Sequence, residues 1–187
     1  MKAPILLPLV LGISASAIGD ELLISQYVEG SSSNKAIEIY NPTDSAVSLT
    51  GYTLSIYFNG KTAAGANIEL SGSIAAQSTQ VIASSSAGDT LKALADVLTS
   101  QSMFNGDDAI VLTDSSGNVL DSIGQVGVDP GSSWGSGSVT TANDTLIRLS
   151  SVAGGDTDPF DAYDTSEWEG LAPVSYTHLT LPTNREV

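Results

Sequence analysis

The chain has 187 residues, a length that suits one domain, and it carries 6 Lys and Arg against 21 Asp and Glu, for a formal net charge of −15 at pH 7. So acidic a surface repels phosphate backbones and anionic membranes, and therefore we expect neither direct nucleic-acid binding nor a membrane partner. The sequence contains no cysteine, which excludes disulfides, thiolate nucleophiles and cysteine-based zinc sites.

The N-terminus has the features of an export signal. Lys2 supplies a positive charge, residues 5–13 form a short apolar stretch, and Ala15-Ser16-Ala17 fits the small-x-small rule for cleavage. We therefore predict a signal peptide over residues 1–17 and a secreted, extracellular protein. A first core strand or a membrane anchor is the alternative, but the apolar stretch is shorter than the ~20 residues that a membrane-spanning helix needs.

Short alternating segments follow, separated by turns of Gly, Asn, Asp and Ser, which is typical of an all-β protein. The clearest strand covers residues 52–58 and is followed by Asn59-Gly60, a pair that favours a tight hairpin turn. Residues 109–113 and 118–123 predict a second hairpin. About eight strands are predicted in all, a number that suits a β-sandwich. They cover residues 22–28, 37–39, 52–58, 68–70, 81–83, 109–113, 118–123 and 145–149.

One segment departs from this pattern. Residues 89–98 place Leu91, Leu94, Ala95 and Leu98 at helical spacing. Asp89 is suited to cap the start of a helix by accepting backbone N–H bonds. The segment predicts a short helix that crosses from one sheet to the other.

The composition changes again after Pro173. Residues 174–187 contain the only histidine, His178, and resemble the translation of sequencing-adapter read-through at the ends of metagenomic open reading frames. We interpret residues 174–187 as an artefactual tail and residues 18–173 as the natural domain, and we expect the natural protein to continue beyond it. A genuine C-terminal strand is the alternative, because Tyr176, His178 and Thr180 alternate.

Several stretches, taken together, resemble the lamin-tail domains of bacteria. They are LLISQYVEGSSSNKAIEIYN at 22–41, FNGDDAIVL at 104–112, DSIGQVGVDPG at 121–131 with Trp134-Gly135 after it, and DTLIR at 144–148 with Glu167-Trp168 further on. The resemblance implies an immunoglobulin-like β-sandwich of the lamin-tail type with one short helix, and a chain that is not itself an enzyme.

The subtype most resembles the N-terminal module of large secreted bacterial nucleases. In that family a lamin-tail domain precedes an oligonucleotide-binding-fold region and a metal-dependent endonuclease/exonuclease/phosphatase domain. The resemblance implies that catalytic residues lie downstream of this chain, and that its partners are other domains of its parent or an extracellular surface. The alternative is a free-standing secreted interaction or adhesion module, stabilised by calcium.

The prediction of calcium rests on four aspartates that lie within nine residues of one another. Asp156, Asp158, Asp161 and Asp164 supply hard oxygen ligands on a loop that contains glycine, as Ca²⁺ prefers. Their spacing is not that of an EF-hand. These four residues are our predicted metal site and Ca²⁺ the cofactor it would take; the alternative is that the carboxylates accept hydrogen bonds from backbone N–H groups in turns.

A possible nucleophile occurs at Ser133, because residues 131–135 read GSSWG and match the G-x-S-x-G pattern of hydrolases. That serine needs a strand-to-helix turn and a histidine base. Pro130 precedes it, Gly and Ser follow it, and the sole histidine lies in the tail. We therefore predict a flexible loop in which Trp134 covers the sandwich edge, and no catalytic residues.

Two further carboxylate positions have both a structural and a functional interpretation. Asp107-Asp108 resembles an acid–base pair, but adjacent residues entering a strand point apart, which favours turn residues at a hairpin entrance. Glu38 lies between Ile37 and Ile39, so its side chain leaves the opposite strand face. We expect it to be partly buried between the sheets and bonded to a nearby turn such as that at Asn41, with a surface ligand-binding role as the alternative.

Overall fold

The alternating segments form strands, and residues 21–171, which a computed structural model describes, consist mainly of strands and turns. The first seven strands are β1 Leu23–Glu29, β2 Lys35–Asn41, β3 Val47–Ser48, β4 Thr53–Tyr57, β5 Ala66–Glu69, β6 Ser73–Ile74 and β7 Ser78–Ser84. The next seven are β8 Val97–Thr99, β9 Ala109–Thr113, β10 Val119–Ile123, β11 Gly135–Ser136, β12 Val139–Thr140, β13 Thr145–Arg148 and β14 Trp168–Leu171. One short helix, α1 Asp89–Lys92, follows β7, and a 3₁₀ turn, Thr165–Glu167, precedes β14.

The strands form two main sheets, as predicted for an immunoglobulin-like β-sandwich. The larger sheet has the order β14-β13-β1-β2-β7-β8, and the smaller has the order β10-β9-β4-β5. The pairings are antiparallel except for that between β7 and β8. Two ribbons of two strands each, β11-β12 and β3-β6, complete the described part of the chain.

Both main sheets contribute to the largest apolar cluster of the core. Ile37 and Ile39 of the larger sheet and Ile56 and Leu112 of the smaller sheet are each completely buried in it. Alternation explains why these side chains lie in the core, because successive residues of a strand point to opposite faces and every second residue faces the core. Trp168 of β14 belongs to the same cluster, so the last strand of the larger sheet is part of the core.

The predicted helix over 89–98 is wrong in its extent, and it does not cross between the sheets, because the strands before and after it, β7 and β8, belong to the same sheet. Helix α1 ends at Lys92, and residues 97–99 form β8, which pairs in parallel with β7. Asp96 accepts a hydrogen bond from the backbone N–H of Val81 at 2.8 Å, and this contact holds the chain against the sheet before β8 begins. The predicted cap at Asp89 is also wrong, since Gly88 is the N-cap residue and makes no side-chain hydrogen bond.

The two predicted hairpins have different outcomes. Strands β9 and β10 pair as predicted. Asn59 and Gly60 both adopt positive φ, at 52° and 68°, which is the geometry of a tight turn. Strand β4, however, pairs with β5, which begins at Ala66. The connection is therefore longer than the predicted two-residue hairpin.

The predicted signal peptide over 1–17 and the tail over 174–187 lie outside the described residues, as do residues 18–20 and 172–173 of the predicted domain. In the part of the chain that the structure describes, no helix is long and apolar enough to cross a membrane.

Candidate functional site

A buried ionic cluster around Arg148 joins four parts of the fold. The Arg148 guanidinium donates through Nη2 to both carboxylate oxygens of Asp121, at 2.7 and 2.8 Å, and through Nε to the carbonyl of Ile24 at 2.8 Å. Its Nη1 donates to Glu167 at 2.5 Å, and the guanidinium carbon lies 4.2 Å from the ring centroid of Trp168. The cluster connects β1, β10, β13 and the turn before β14.

The side chains of Asp121 and its ion-pair partner Arg148 are both fully buried. Its carboxylate also accepts backbone N–H groups from Ile24 at 2.6 Å, Ser122 at 2.9 Å and Asp156 at 2.8 Å. Burial raises the pKa of Asp121 to about 6, against the lowering effects of the Arg148 charge and these backbone donors. The carboxylate therefore has a full set of donors, as a buried charge requires.

The predicted metal site lies on a loop that starts at this cluster. Asp156 donates its backbone N–H to Asp121, and its own carboxylate accepts from the Ser122 hydroxyl at 3.1 Å. The loop is also joined to the segment after β10, because Val126 donates to the carbonyl of Pro159 at 2.8 Å. The acidic loop, residues 156–164, therefore has a defined conformation at one edge of the sandwich.

Three of the four predicted ligands accept hydrogen bonds from nearby backbone N–H groups. Asp156 accepts from Asp158 at 3.0 Å, Asp158 from Phe160 at 3.1 Å, and Asp164 from Ser166 at 2.8 Å. These are the turn contacts that the alternative interpretation describes. Among residues 21–171, no group of three or more His, Cys, Asp or Glu side chains is placed to hold a metal ion.

The four carboxylates nevertheless act on one another electrostatically. The neighbouring charge of Asp156, with smaller effects of burial and of Asp158 and Asp164, raises the pKa of Asp161. A cavity of about 170 Å³ lies beside the loop and is lined by Asp161, Tyr163 and Glu167 among others. The loop thus concentrates negative charge beside a small cavity, and the calcium assignment stays a prediction.

Ser133 lies in a loop that leads into a β-ribbon. The residue after it, Trp134, donates its backbone N–H to the Thr141 hydroxyl at 2.8 Å and its indole N–H to the carbonyl of Asp108 at 3.1 Å. Trp134 is buried, as predicted for a side chain that covers the sandwich edge. The strand that follows is β11 and no helix begins here, so the backbone around Ser133 differs from a nucleophile elbow.

Asp107 and Asp108 differ strongly in their surroundings. Asp108 is buried and accepts backbone N–H groups from Asn59 at 2.9 Å and Asn105 at 2.8 Å, and burial raises its pKa. It joins the turn after β4 to the turn before β9, which is the structural role expected of a hairpin entrance. One carboxylate oxygen of Asp107 is buried without a hydrogen-bond partner in the described structure.

Glu38 leaves the strand on the face opposite Ile37 and Ile39, as predicted, but it does not lie between the sheets and its partner is not the turn at Asn41. Its Oε1 accepts from the Ser25 hydroxyl at 2.6 Å, since a bulge in β1 between Ile24 and Gln26 brings Ser25 towards it. The Asn41 amide instead donates to carbonyls, among them that of Ser45 at 2.8 Å. Burial raises the pKa of Glu38.

The basic residues of the described chain are dispersed. Lys35 pairs with Glu29, Lys92 with Asp89, and Arg148 with Asp121 and Glu167, each in a different part of the fold. Lys61 is exposed in the turn after β4. Three of these four positive charges are therefore paired with carboxylates of the same domain.

The Arg148 cluster is not among the features predicted from the sequence. A signal for it exists, because Asp121 and Arg148 each interrupt a run of apolar or small residues in a strand. A charged residue at such a position requires a partner when the strand is buried. Which partner it finds depends on the pairing of strands that are distant in the sequence.

A family model described as Lamin Tail Domain matches residues 15–127 of the chain. A search of curated proteins found no match. The matched region includes β1 to β10, whereas β11 to β14 and the acidic loop follow it.

Proposed function

The chain belongs to the lamin tail domain family, and on that premise we propose that it is an extracellular accessory module, located at the N-terminus of a secreted DNA-degrading nuclease. The lamin tail domain is a non-catalytic module with an immunoglobulin-like β-sandwich fold. In this proposal the chemistry belongs to a domain that follows residue 173. The chain contributes a folded unit ahead of that domain.

The observation that carries the proposal is the combination of sequence stretches that resemble the modules of such nucleases. Residues 22–41 form the β1–β2 hairpin, and residues 104–112 lead into β9. Residues 121–131 and 144–148 contain Asp121 and Arg148, the two ends of the buried ion pair. The stretches of the resemblance therefore include the residues that join the sheets, as expected where they specify one type of domain.

The extracellular setting is supported by the N-terminal sequence. Lys2, the apolar residues 5–13 and Ala15-Ser16-Ala17 fit an export signal. The chain has no cysteine, so the domain depends on its core and on the Arg148 cluster for stability. Its net charge of −15 would keep it from competing for the DNA on which the parent acts.

Two measurements test the proposal. Long-read sequencing of the source gene across the codon for Pro173 is expected to show a frame that continues into a large catalytic domain. Purified residues 18–173, incubated with plasmid DNA and Mg²⁺, Mn²⁺ or Ca²⁺, are expected to leave the DNA intact. A stop codon directly after this sequence, or DNA cleavage that copurifies with the chain, would overturn it.

A second candidate is a free-standing secreted interaction module stabilised by calcium. It is favoured by the mutual repulsion in the acidic loop, where neighbouring carboxylates raise the pKa of Asp161 and the ion pairs of the described chain leave Asp156, Asp158, Asp161 and Asp164 without a basic partner. A cation that binds only the folded state raises Tm. This candidate predicts that millimolar CaCl₂ raises Tm more than MgCl₂ does, and that Asp161→Asn removes the difference. Equal Tm values in both salts would contradict it.

A further inference from the structure

A second cavity lies at a different place on the sandwich from the acidic loop, and most of its lining residues carry a hydroxyl group. Its volume is about 340 Å³, which is at the small end of the ~300–1,000 Å³ range of ligand pockets. Three segments form it: the β1–β2 loop, the turn after β7 and the segment that follows β8. Seven of its eleven lining residues are serines, and Thr99 adds a further hydroxyl.

The three segments are held together by hydrogen bonds that do not use most of these hydroxyls. Ser85 donates its backbone N–H to the carbonyl of Thr99 at 2.8 Å. Gly88 donates its backbone N–H to the side-chain oxygen of Asn34 at 2.8 Å. These contacts join the turn after β7 to both other walls, so the cavity is formed before any ligand enters.

Most of the serine hydroxyls in the walls are free to bind a ligand. Ser84 is an exception, since its hydroxyl accepts from the backbone N–H of Ser86 at 3.2 Å. The side-chain hydrogen bonds of residues 21–171 do not include the hydroxyls of Ser32, Ser33, Ser85, Ser86, Ser100 and Ser102. Each hydroxyl offers one donor and two acceptor positions.

The cavity has little net charge of its own. Lys35 is the charged residue among its walls, and the ammonium group of that lysine pairs with the carboxylate of Glu29. A phosphate or sulfate ligand would have to displace this carboxylate and would enter a protein whose net charge is −15. The chemistry of the cavity therefore fits a neutral ligand that both donates and accepts hydrogen bonds.

From this arrangement we propose that the hydroxyl-lined cavity binds a neutral sugar, such as the terminal hexose of a glycan on an extracellular surface. A pyranose ring carries hydroxyls that act as donors and acceptors around its edge, matching the serine walls, and an apolar C–H face. Met103, a half-buried residue of the same wall, supplies an apolar contact for that face. The inference concerns residues of this chain alone and does not depend on a nuclease parent.

Titration followed by amide resonances in two-dimensional NMR tests the proposal on the full domain. The probes are methyl α-D-glucopyranoside, methyl α-D-mannopyranoside, methyl β-D-galactopyranoside and N-acetyl-D-glucosamine, with inorganic phosphate as the anionic probe. At least one sugar is expected to give saturable shifts confined to residues 32–35, 84–86 and 99–103. A Kd in the millimolar range is expected, because a monosaccharide makes few contacts.

Two leucine variants distinguish a site from a general effect of added sugar. Ser85→Leu places an apolar side chain in the cavity and is expected to weaken binding at least about 10-fold. Ser116→Leu makes the same change at an exposed serine in the β9–β10 turn and is expected to leave binding unchanged. Because both serines are exposed, both variants are expected to fold, and their amide spectra verify this.

Three results would overturn the proposal. The first is the absence of saturable shifts with every sugar. The second is saturable binding of phosphate alone, which would make the cavity an anion site. The third is equal sugar affinity in the Ser85→Leu and Ser116→Leu variants, which would place the sugar elsewhere.

Discussion

Arg148 shows how a single residue can join distant parts of this chain. Its guanidinium holds Asp121 of β10, the carbonyl of Ile24 in β1 and Glu167 before β14. The side chains of Arg148 and Asp121 have no exposed surface. Removing one partner of such a pair leaves the other as an uncompensated buried charge, which costs more than the pair itself contributes.

We therefore expect Arg148→Met to lower the free energy of unfolding by about 3–5 kcal/mol. The double variant Arg148→Met with Asp121→Asn is expected to be less destabilised than the sum of the two single changes, since it leaves no unpaired charge. Urea unfolding followed by tryptophan fluorescence measures all three. Lys92→Met, at a pair on the surface of α1, is the control and is expected to change stability little. Additive single effects would contradict the coupling.

Glu38 provides a test of how stability depends on pH. Burial raises the pKa of its carboxyl above the ordinary value of 4.5, so the folded protein binds a proton more tightly at this group than the unfolded chain does. Its stability contribution is therefore most favourable below pH 4.5 and decreases as the pH rises through the folded-state pKa. Asp96 adds to the effect.

Glu38→Gln is expected to keep the hydrogen bond from Ser25 while removing the charge. The variant should be at least as stable as the natural sequence at pH 7, and the stability difference between them should shrink as the pH falls towards 4.5. Thermal unfolding from pH 4 to pH 8 measures this difference. Glu169→Gln, at an exposed position of the edge strand β14, is the matched control. A stability difference that does not change with pH would show that the pKa of Glu38 is the same in the folded and unfolded states.

At the scale of elements, the acidic loop depends on a glycine for its position. A Cβ atom at Gly155 would overlap the carbonyl oxygen of Leu120 and lie 2.5 Å from the Cβ of Asp121. At the adjacent Gly154 a Cβ would have nothing within 4 Å. The two neighbours thus form a natural pair of variants, one at a close contact between loop and strand and one in open space.

Gly155→Ala is expected to destabilise the domain by about 1–3 kcal/mol, because the loop must move away from β10 to accept the methyl group. The shift would weaken the hydrogen bond from the Asp156 N–H to Asp121, now 2.8 Å. Gly154→Ala should change stability by only a few tenths of a kcal/mol. Thermal unfolding of both variants measures the contrast, and equal stabilities would mean that the loop is not held against β10.

The local sequence alone does not predict where helix α1 ends and strand β8 begins. The spacing of Leu91, Leu94, Ala95 and Leu98 predicts one longer helix, yet the exposed fraction of Leu98 is 49 %. The hydrogen bond from the Val81 N–H to Asp96 and the parallel pairing of β8 with β7 hold this segment on the sheet, so the helix does not continue through it. Helix α1 still covers apolar residues of the larger sheet, since Leu91 packs in a cluster with Val28 and others.

For the whole molecule, the sequence predicts the sandwich and its longest strands because alternation is a local signal. Strands β1, β2, β4 and β9 coincide within a few residues with predicted segments. The ribbons β3-β6 and β11-β12 have strands of two residues, too short to show a period. The Arg148 cluster and the hydroxyl-lined cavity both combine segments far apart in the chain, so residue types indicate them only after the strands are placed.

Two strands that follow the family match belong to the same sheet as strands within it. The family match ends at residue 127, but β13 pairs with β1, and β14 pairs with β13. A chain that ends at 127 would lose two of the six strands of the larger sheet and the Trp168 contribution to the core. It would also leave Asp121 buried without Arg148.

We therefore expect residues 18–171 to unfold cooperatively and residues 18–127 to lack a cooperative transition. The shorter chain loses both a buried ion-pair partner and core area, and the stability of a typical domain is only ~5–15 kcal/mol. Thermal unfolding followed by circular dichroism, with the dispersion of amide resonances in NMR, compares the two chains. Residues 18–171 carrying Arg148→Met form an intermediate case, since they keep β13 and β14 but lose the ion pair. A cooperative transition in residues 18–127 would show that β13 and β14 pack on a sandwich that is already complete, and the Arg148 cluster would then attach the last strands without holding the sheets together.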